Sequence, residues 1–161
     1  MPTVDLVAQS DVRTVRNRAS MEEVMPSANE SALTSVYVRY TDTADHGGIS
    51  EESIKDNQSF DLCLDLEAGQ TIFNSGAAYN LFVVLNDLSD SSTTVYKNSQ
   101  GGSLGDPKWP TMDTTFSWTI PAGSIPLADD HVYQATGVMS VGKSDPIVDV
   151  DQSALFIVTQ P

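Results

Sequence analysis

The residues able to do chemistry in this 161-residue chain are few, and their spacing argues against catalysis. His46 and His131 are the only side chains whose ordinary pKa lies near neutrality. Neither has a nucleophile motif around it, and no serine sits in a Gly-x-Ser-x-Gly elbow. His131 falls inside a turn motif described below, which gives it a structural role. Carboxylate pairs such as Asp61/Asp65 and Asp149/Asp151 exist, but a chain with 22 acidic residues yields such pairs by chance. No catalytic residue is expected, and the chain is read as a non-enzyme.

Metal chemistry has one candidate set. Cys63, His46 and His131 do not form a zinc spacing, and no EF-hand loop is present. Asp145, Asp149 and Asp151, with Asp129 and Asp130 from another loop, could gather oxygen ligands for calcium. The competing reading is a solvated acidic edge that keeps strands from pairing with neighbours. Otherwise no cofactor is expected.

Two loops invite a ligand. Gly101-Gly102-Ser103-Leu104-Gly105-Asp106 has the look of a phosphate cradle but lacks the Gly-Lys-Ser/Thr ending and a following helix. Lys108-Trp109-Pro110 places a tryptophan in a Gly/Pro-rich loop, where it could stack on a sugar or anchor a partner. The alternative is a tryptophan folded over the end of the core.

Charge narrows the partners. The net charge is -14, from 22 acidic against 8 basic residues, and such a field repels phosphate, so no nucleic acid is expected. Arg13, Arg16 and Arg18 against Asp5 and Asp11 make residues 1–18 net +1, which leaves -15 on the rest. A basic arm complements an acidic body, and the arm is expected to contact a neighbouring subunit. No apolar run approaches the ~18 residues of a membrane span, and the N-terminus lacks a signal-peptide pattern, so neither membrane insertion nor export by that route is expected.

The elements that must position these residues are strands. Phe60, Leu62, Leu64 and Leu66 alternate with Asp61, Cys63, Asp65 and Glu67, one apolar face and one acidic face. Tyr79 to Leu88 carries five unbroken apolar residues, Leu81 to Leu85, and reads as a central strand covered on both faces. Further strands are expected at 32–40, 93–96, 114–120, 132–141 and 154–159, about seven in all. Phe116, Trp118 and Ile120 point inward in the fifth of these seven. Residues 42–58, 99–110 and 143–151 read as loops. Residues 1–31 form an arm, extended or partly helical, with Ser20-Met21-Glu22-Glu23 as a capping box ended by Pro26.

About seven strands with close turn signals predict an all-β antiparallel sandwich over 32–161. Within it, Leu127 to Ala135 resembles the tyrosine corner of immunoglobulin-like domains: Asp129, Tyr133 and Ala135 occupy the aspartate, tyrosine and small-residue places. The resemblance implies that the Tyr133 hydroxyl bonds back to nearby backbone and fixes a turn between two sheets. It is architectural, and the disulfide of antibody domains is missing, with Ala135 at one place and Cys63 on the acidic face of its strand. The first functional reading is a structural or interaction subunit of a larger homo- or hetero-oligomeric assembly, such as a virion or phage particle. The alternative is a module that recognises carbohydrate or a cell-surface ligand through loops around Trp109 and His46-Gly47-Gly48.

Overall fold

The computed structural model describes residues 30–41 and 51–160. Among them the chain is all-β, with nine strands and one short helix: β1 (Ser31–Tyr40), β2 (Ser53–Lys55), β3 (Phe60–Ala68), α1 (Gln70–Asn74), β4 (Ala78–Asp87), β5 (Thr93–Ser103), β6 (Asp113–Ile120), β7 (Val132–Val141), β8 (Ile147–Gln152) and β9 (Phe156–Thr159). Two sheets face each other. The smaller has the order β1-β3-β6; the larger runs β2-β9-β7-β4-β5, with β8 also paired to β7. β9 lies beside Val132 and Tyr133, and β8 takes over the same edge of β7 from Thr136 to Val141. Apart from the parallel pair of β2 with β9, the ladders are antiparallel. With β3 between β1 and β6, and β7 between β9 and β4, the division of strands resembles that of an immunoglobulin-like sandwich.

The alternating residues meet between the sheets. Leu62, Leu64 and Leu66 from β3 pack with Leu81, Val83 and Leu85 from β4, all buried. Gly137 of β7 packs directly against the opposite sheet: an added Cβ would stand 2.5 Å from Leu64 Cδ2 and 3.0 Å from Val36 Cγ2. A larger residue there would require the Leu64 and Val36 side chains to shift.

Several expectations change. β5 runs eleven residues, through Ser103, where a loop was expected from residue 99. Its partner β4 is long and carries the pairing through Gly101 and Gly102, so tertiary pairing overrides weak local propensity. Residues 147–151 of the expected connector, with Gln152, form β8 along the edge of β7, its Asp149 and Asp151 buried rather than solvated. β4 is central, as predicted, but it is not covered on both faces: its inward residues are buried while Phe82 remains 48% exposed.

The acidic side of β3 is not a solvated face either. Asp61 and Cys63 are buried, because β3 lies between two strands rich in hydroxyl groups. Asp65 accepts hydrogen bonds from Ser35 Oγ at 2.9 Å, Tyr37 Oη at 3.1 Å and Thr115 Oγ1 at 2.7 Å. Asp61 accepts from Thr41 Oγ1 and Thr119 Oγ1, each at 2.9 Å, and lies 3.8 Å from Arg39 Nε. Burial pushes the free Cys63 thiol up from its ordinary pKa.

Candidate ligand cleft

A cleft of about 450 Å³ opens between β5, the last strand of the larger sheet, and β6, the last strand of the smaller. Asn98, Ser99 and Gln100 line one wall; Thr115, Phe116, Ser117 and Trp118 line the other; Lys108 stands at one end. The two walls are chemically different. Phe116 and Trp118 stack at 6.2 Å between centroids and 29° between planes. Phe116 is buried, whereas Trp118 is half-buried and turns part of its ring to the cleft. Opposite them are two carboxamides. Asn98 Nδ2 donates to Tyr96 Oη at 2.9 Å and its Oδ1 accepts from the Ser99 N–H; Gln100 Nε2 donates to the Gly101 carbonyl at 2.8 Å. Each carboxamide has two N–H donors and a two-lone-pair acceptor, so both keep capacity for a ligand.

Lys108 is placed by a turn built on Asp106. One Asp106 oxygen accepts from the backbone N–H groups of Lys108 at 2.9 Å and Trp109 at 2.8 Å, and the other from Ser103 N–H at 3.2 Å. The Tyr79 hydroxyl donates to the same carboxylate at 3.0 Å. Burial pushes the Asp106 pKa up, but the N–H groups of Trp109, Ser103 and Lys108 and the Tyr79 hydroxyl outweigh it, and the net shift is downward. Gly102 is required beside this turn, since a Cβ there would collide with both Asp106 and Tyr79. Beyond the turn, Lys108 Nζ donates to Gln100 Oε1 at 3.0 Å.

The same turn carries Trp109 inward. Trp109 is completely buried, 5.1 Å from the Tyr79 ring and 6.0 Å from Phe116, so it cannot stack on a sugar or enter a partner's pocket. It belongs to the core, and its Nε1 is buried without a hydrogen-bond partner. The residue that faces the cleft, Trp118, was expected inward. Its side is as expected, but β6 ends its sheet and leaves the ring partly uncovered. The sequence signal available was a tryptophan alternating with Thr115, Ser117 and Thr119, a polar strand around one large ring.

The calcium candidates do not assemble. Asp149 and Asp151 are buried on the inward side of β8, with Asp149 Oδ2 accepting the Leu33 N–H at 3.0 Å, while Asp145 is exposed in the preceding turn. Asp129 Oδ1 accepts from Gln160 N–H at 3.0 Å. Among the described residues, no group of three or more His, Cys, Asp or Glu side chains is placed to hold a metal ion. The Tyr133 hydroxyl accepts from the Ala128 backbone N–H at 2.8 Å, across the turn that contains Asp129. His131 Nδ1 lies 2.7 Å from Asp87 Oδ2, which ties that turn to the end of β4. Arg13, Arg16, Arg18 and His46-Gly47-Gly48 lie outside the described residues, as does the arm up to residue 29. No helix among the described residues is long and apolar enough to cross a membrane.

Fold and cleft together define a β-sandwich with an aromatic-and-amide groove at its open side. Among solved structures, the chain is similar to the C-terminal domain of wzt, with 11% identity, a TM-score of 0.52, and coverage of 86% of this chain and 77% of that one. It is also similar to a glycosyl hydrolase family 2 member from Bacteroides cellulosilyticus (14% identity, TM-score 0.42), covering 73% of this chain and 13% of that one. A third is Spo0M, a sporulation control protein from Bacillus subtilis (10% identity, TM-score 0.43), covering 81% of this chain and 50% of that one. No protein-family model and no curated protein matches the sequence. At these identities the likeness is one of fold.

Proposed function

We propose that this chain is a non-catalytic saccharide-binding module that uses the cleft between β5 and β6. The observation that carries the reading is the stacked Phe116–Trp118 pair facing Asn98 and Gln100 across one groove. A sugar ring has an apolar face of C–H groups and a rim of hydroxyls that both donate and accept. An aromatic plate covers the first, and carboxamides and serine or threonine hydroxyls satisfy the second. Hydrolysis of a glycosidic bond by the common route needs two carboxyl groups, and the cleft lining contains none. The site is therefore suited to holding a glycan and not to cutting it.

Tryptophan fluorescence against a panel of oligosaccharides tests this. Trp118 reports on the cleft while Trp109 stays buried as an internal reference. Binding should quench or shift the Trp118 emission, and Trp118→Ala should weaken affinity about three- to tenfold, in line with about 0.5–1.5 kcal/mol for a stacked aromatic contact. A panel that leaves the emission unchanged sinks the reading.

A second reading, as a subunit of a larger assembly, draws on the outer face of the larger sheet. Phe82, Val138 and Val150 lie in one cross-strand row there, flanked by Val84-Thr136-Gln152 on one side and Asn80-Ser140-Val148 on the other. None of these nine residues is charged, although the Val84 row continues on β5 to the exposed Lys97. The solution mass by light scattering tests it: a mass that stays at 17.3 kDa removes self-assembly.

A further inference from the structure

We infer that the cleft selects saccharides bearing a carboxylate, such as uronic acid oligomers, over their uncharged counterparts, with Lys108 as the residue that sets the preference. The inference rests on the saccharide reading and goes beyond it to the ligand's charge. Of the eight residues lining the cleft, Lys108 is the only charged one, in a protein whose acidic residues outnumber its basic ones 22 to 8. Its position is set at both ends. The backbone N–H is fixed on Asp106, and Nζ is drawn to Gln100 Oε1 at 3.0 Å, on the amide wall of the groove.

An ammonium group has three donors, and the amide uses one, which leaves two for an incoming oxyanion. Part of the entropy of holding a lysine still is already spent, so a carboxylate meets a partner that needs little rearrangement. No carboxylate lines the cleft to repel the ligand at contact. The Asp106 carboxylate is occupied by backbone N–H groups and the Tyr79 hydroxyl. The body's negative field acts against anions at long range, but it is screened beyond about 8–10 Å at moderate salt, whereas the contact with Lys108 is screened far less. The short-range term therefore decides the equilibrium. Lysine acts here as a point charge, so Lys108→Arg should keep most of the preference and Lys108→Gln should not.

The experiment uses the full chain and matched probes: oligomers of galacturonate, glucuronate and mannuronate, each beside its methyl ester, in which the backbone is kept and the charge removed. Affinities come from calorimetry and tryptophan fluorescence. The wild type should bind at least one acid form about three- to tenfold more tightly than its ester. In Lys108→Gln the acid form should lose its advantage over the ester, because the one charged side chain lining the cleft is gone. Trp118→Ala should weaken acid and ester alike. Equal or better binding of the esters by the wild type, or a preference that survives Lys108→Gln, overturns the inference and leaves the saccharide reading standing. If neither acids, esters nor the neutral panel bind, both fall together. Lys108 is exposed, so an unchanged thermal melt of Lys108→Gln separates loss of preference from loss of fold.

Discussion

The two outer faces of this sandwich carry opposite chemistry. The smaller sheet presents Asp61 and Asp65 along β3, each wrapped in hydroxyls from β1 and β6, with Arg39 alongside and Cys63 buried between them. The larger sheet presents an uncharged row of Phe82, Val138 and Val150. The first face is polar yet closed, since its groups satisfy one another. The second is apolar yet open. Acidity in this chain is thus no guide to where the surface is available: Asp65 with three hydroxyl donors and Asp61 with two hold strands together, and the row left open is apolar, with Lys97 at its β5 margin. Buried polar groups persist only when paired, and an exposed apolar row persists at little cost to folding.

The largest expected break in the contrast comes from the closed face. Asp61→Ala removes the acceptor of two threonine hydroxyls and the carboxylate nearest Arg39 Nε. Urea denaturation should show a loss of about 2–3 kcal/mol, since two threonine hydroxyls lose their acceptor in a buried site. A loss below 1 kcal/mol would mean that the network is ornamental to stability.

A second effect depends on pH. Burial, and then the nearby Asp65 carboxylate, raise the Tyr37 pKa well above its ordinary value. The unfolded chain ionises this phenol near pH 10 and the folded one only later, so above about pH 10 the unfolded state holds fewer protons. The Tyr37 contribution to stability should be fully present below pH 10 and fall as pH rises beyond it, with a slope of up to about 1.4 kcal/mol per pH unit. Tyr37→Phe should flatten that alkaline slope measurably. Cys63, Tyr79 and Tyr133, also raised by burial, add to the alkaline loss. An unchanged alkaline limb in Tyr37→Phe would place Tyr37 outside the closed network.

The smallest expected effect lies on the open face. Phe82→Ser should change the folding free energy by no more than about 0.5 kcal/mol, because the side chain is 48% exposed. If that face is a contact between subunits, the same substitution should lower the solution mass. Serious destabilisation of the monomer would show that the row is covered.

Much of the fold was legible because alternation is a direct readout of strand geometry. Phe60 to Glu67 declared its two sides, and the apolar run at Leu81 marked β4 as central. The misses have two causes. The Gly-containing end of β5 has poor strand propensity and exists through its long partner β4. β8 has good strand formers in Ile147, Val148 and Val150, but its alternating Asp149 and Asp151 read as solvated and are buried instead. The cleft was only half visible. A tryptophan near a Gly/Pro-rich loop was the natural candidate, yet Trp109 is turned under by Asp106 while Trp118 reaches the groove.

What the sequence determined by itself is the side of each strand on which each residue lies, and hence an all-β sandwich with Trp118 on an inward side. What only the tertiary structure decided is how far one sheet extends over the other. Period-two alternation is a local property of the backbone, repeated every ~7 Å along a strand. Cover is a long-range property set by which strands end up last in their sheets. β5 and β6 are those strands, and that placement turned an inward tryptophan into the wall of a cleft.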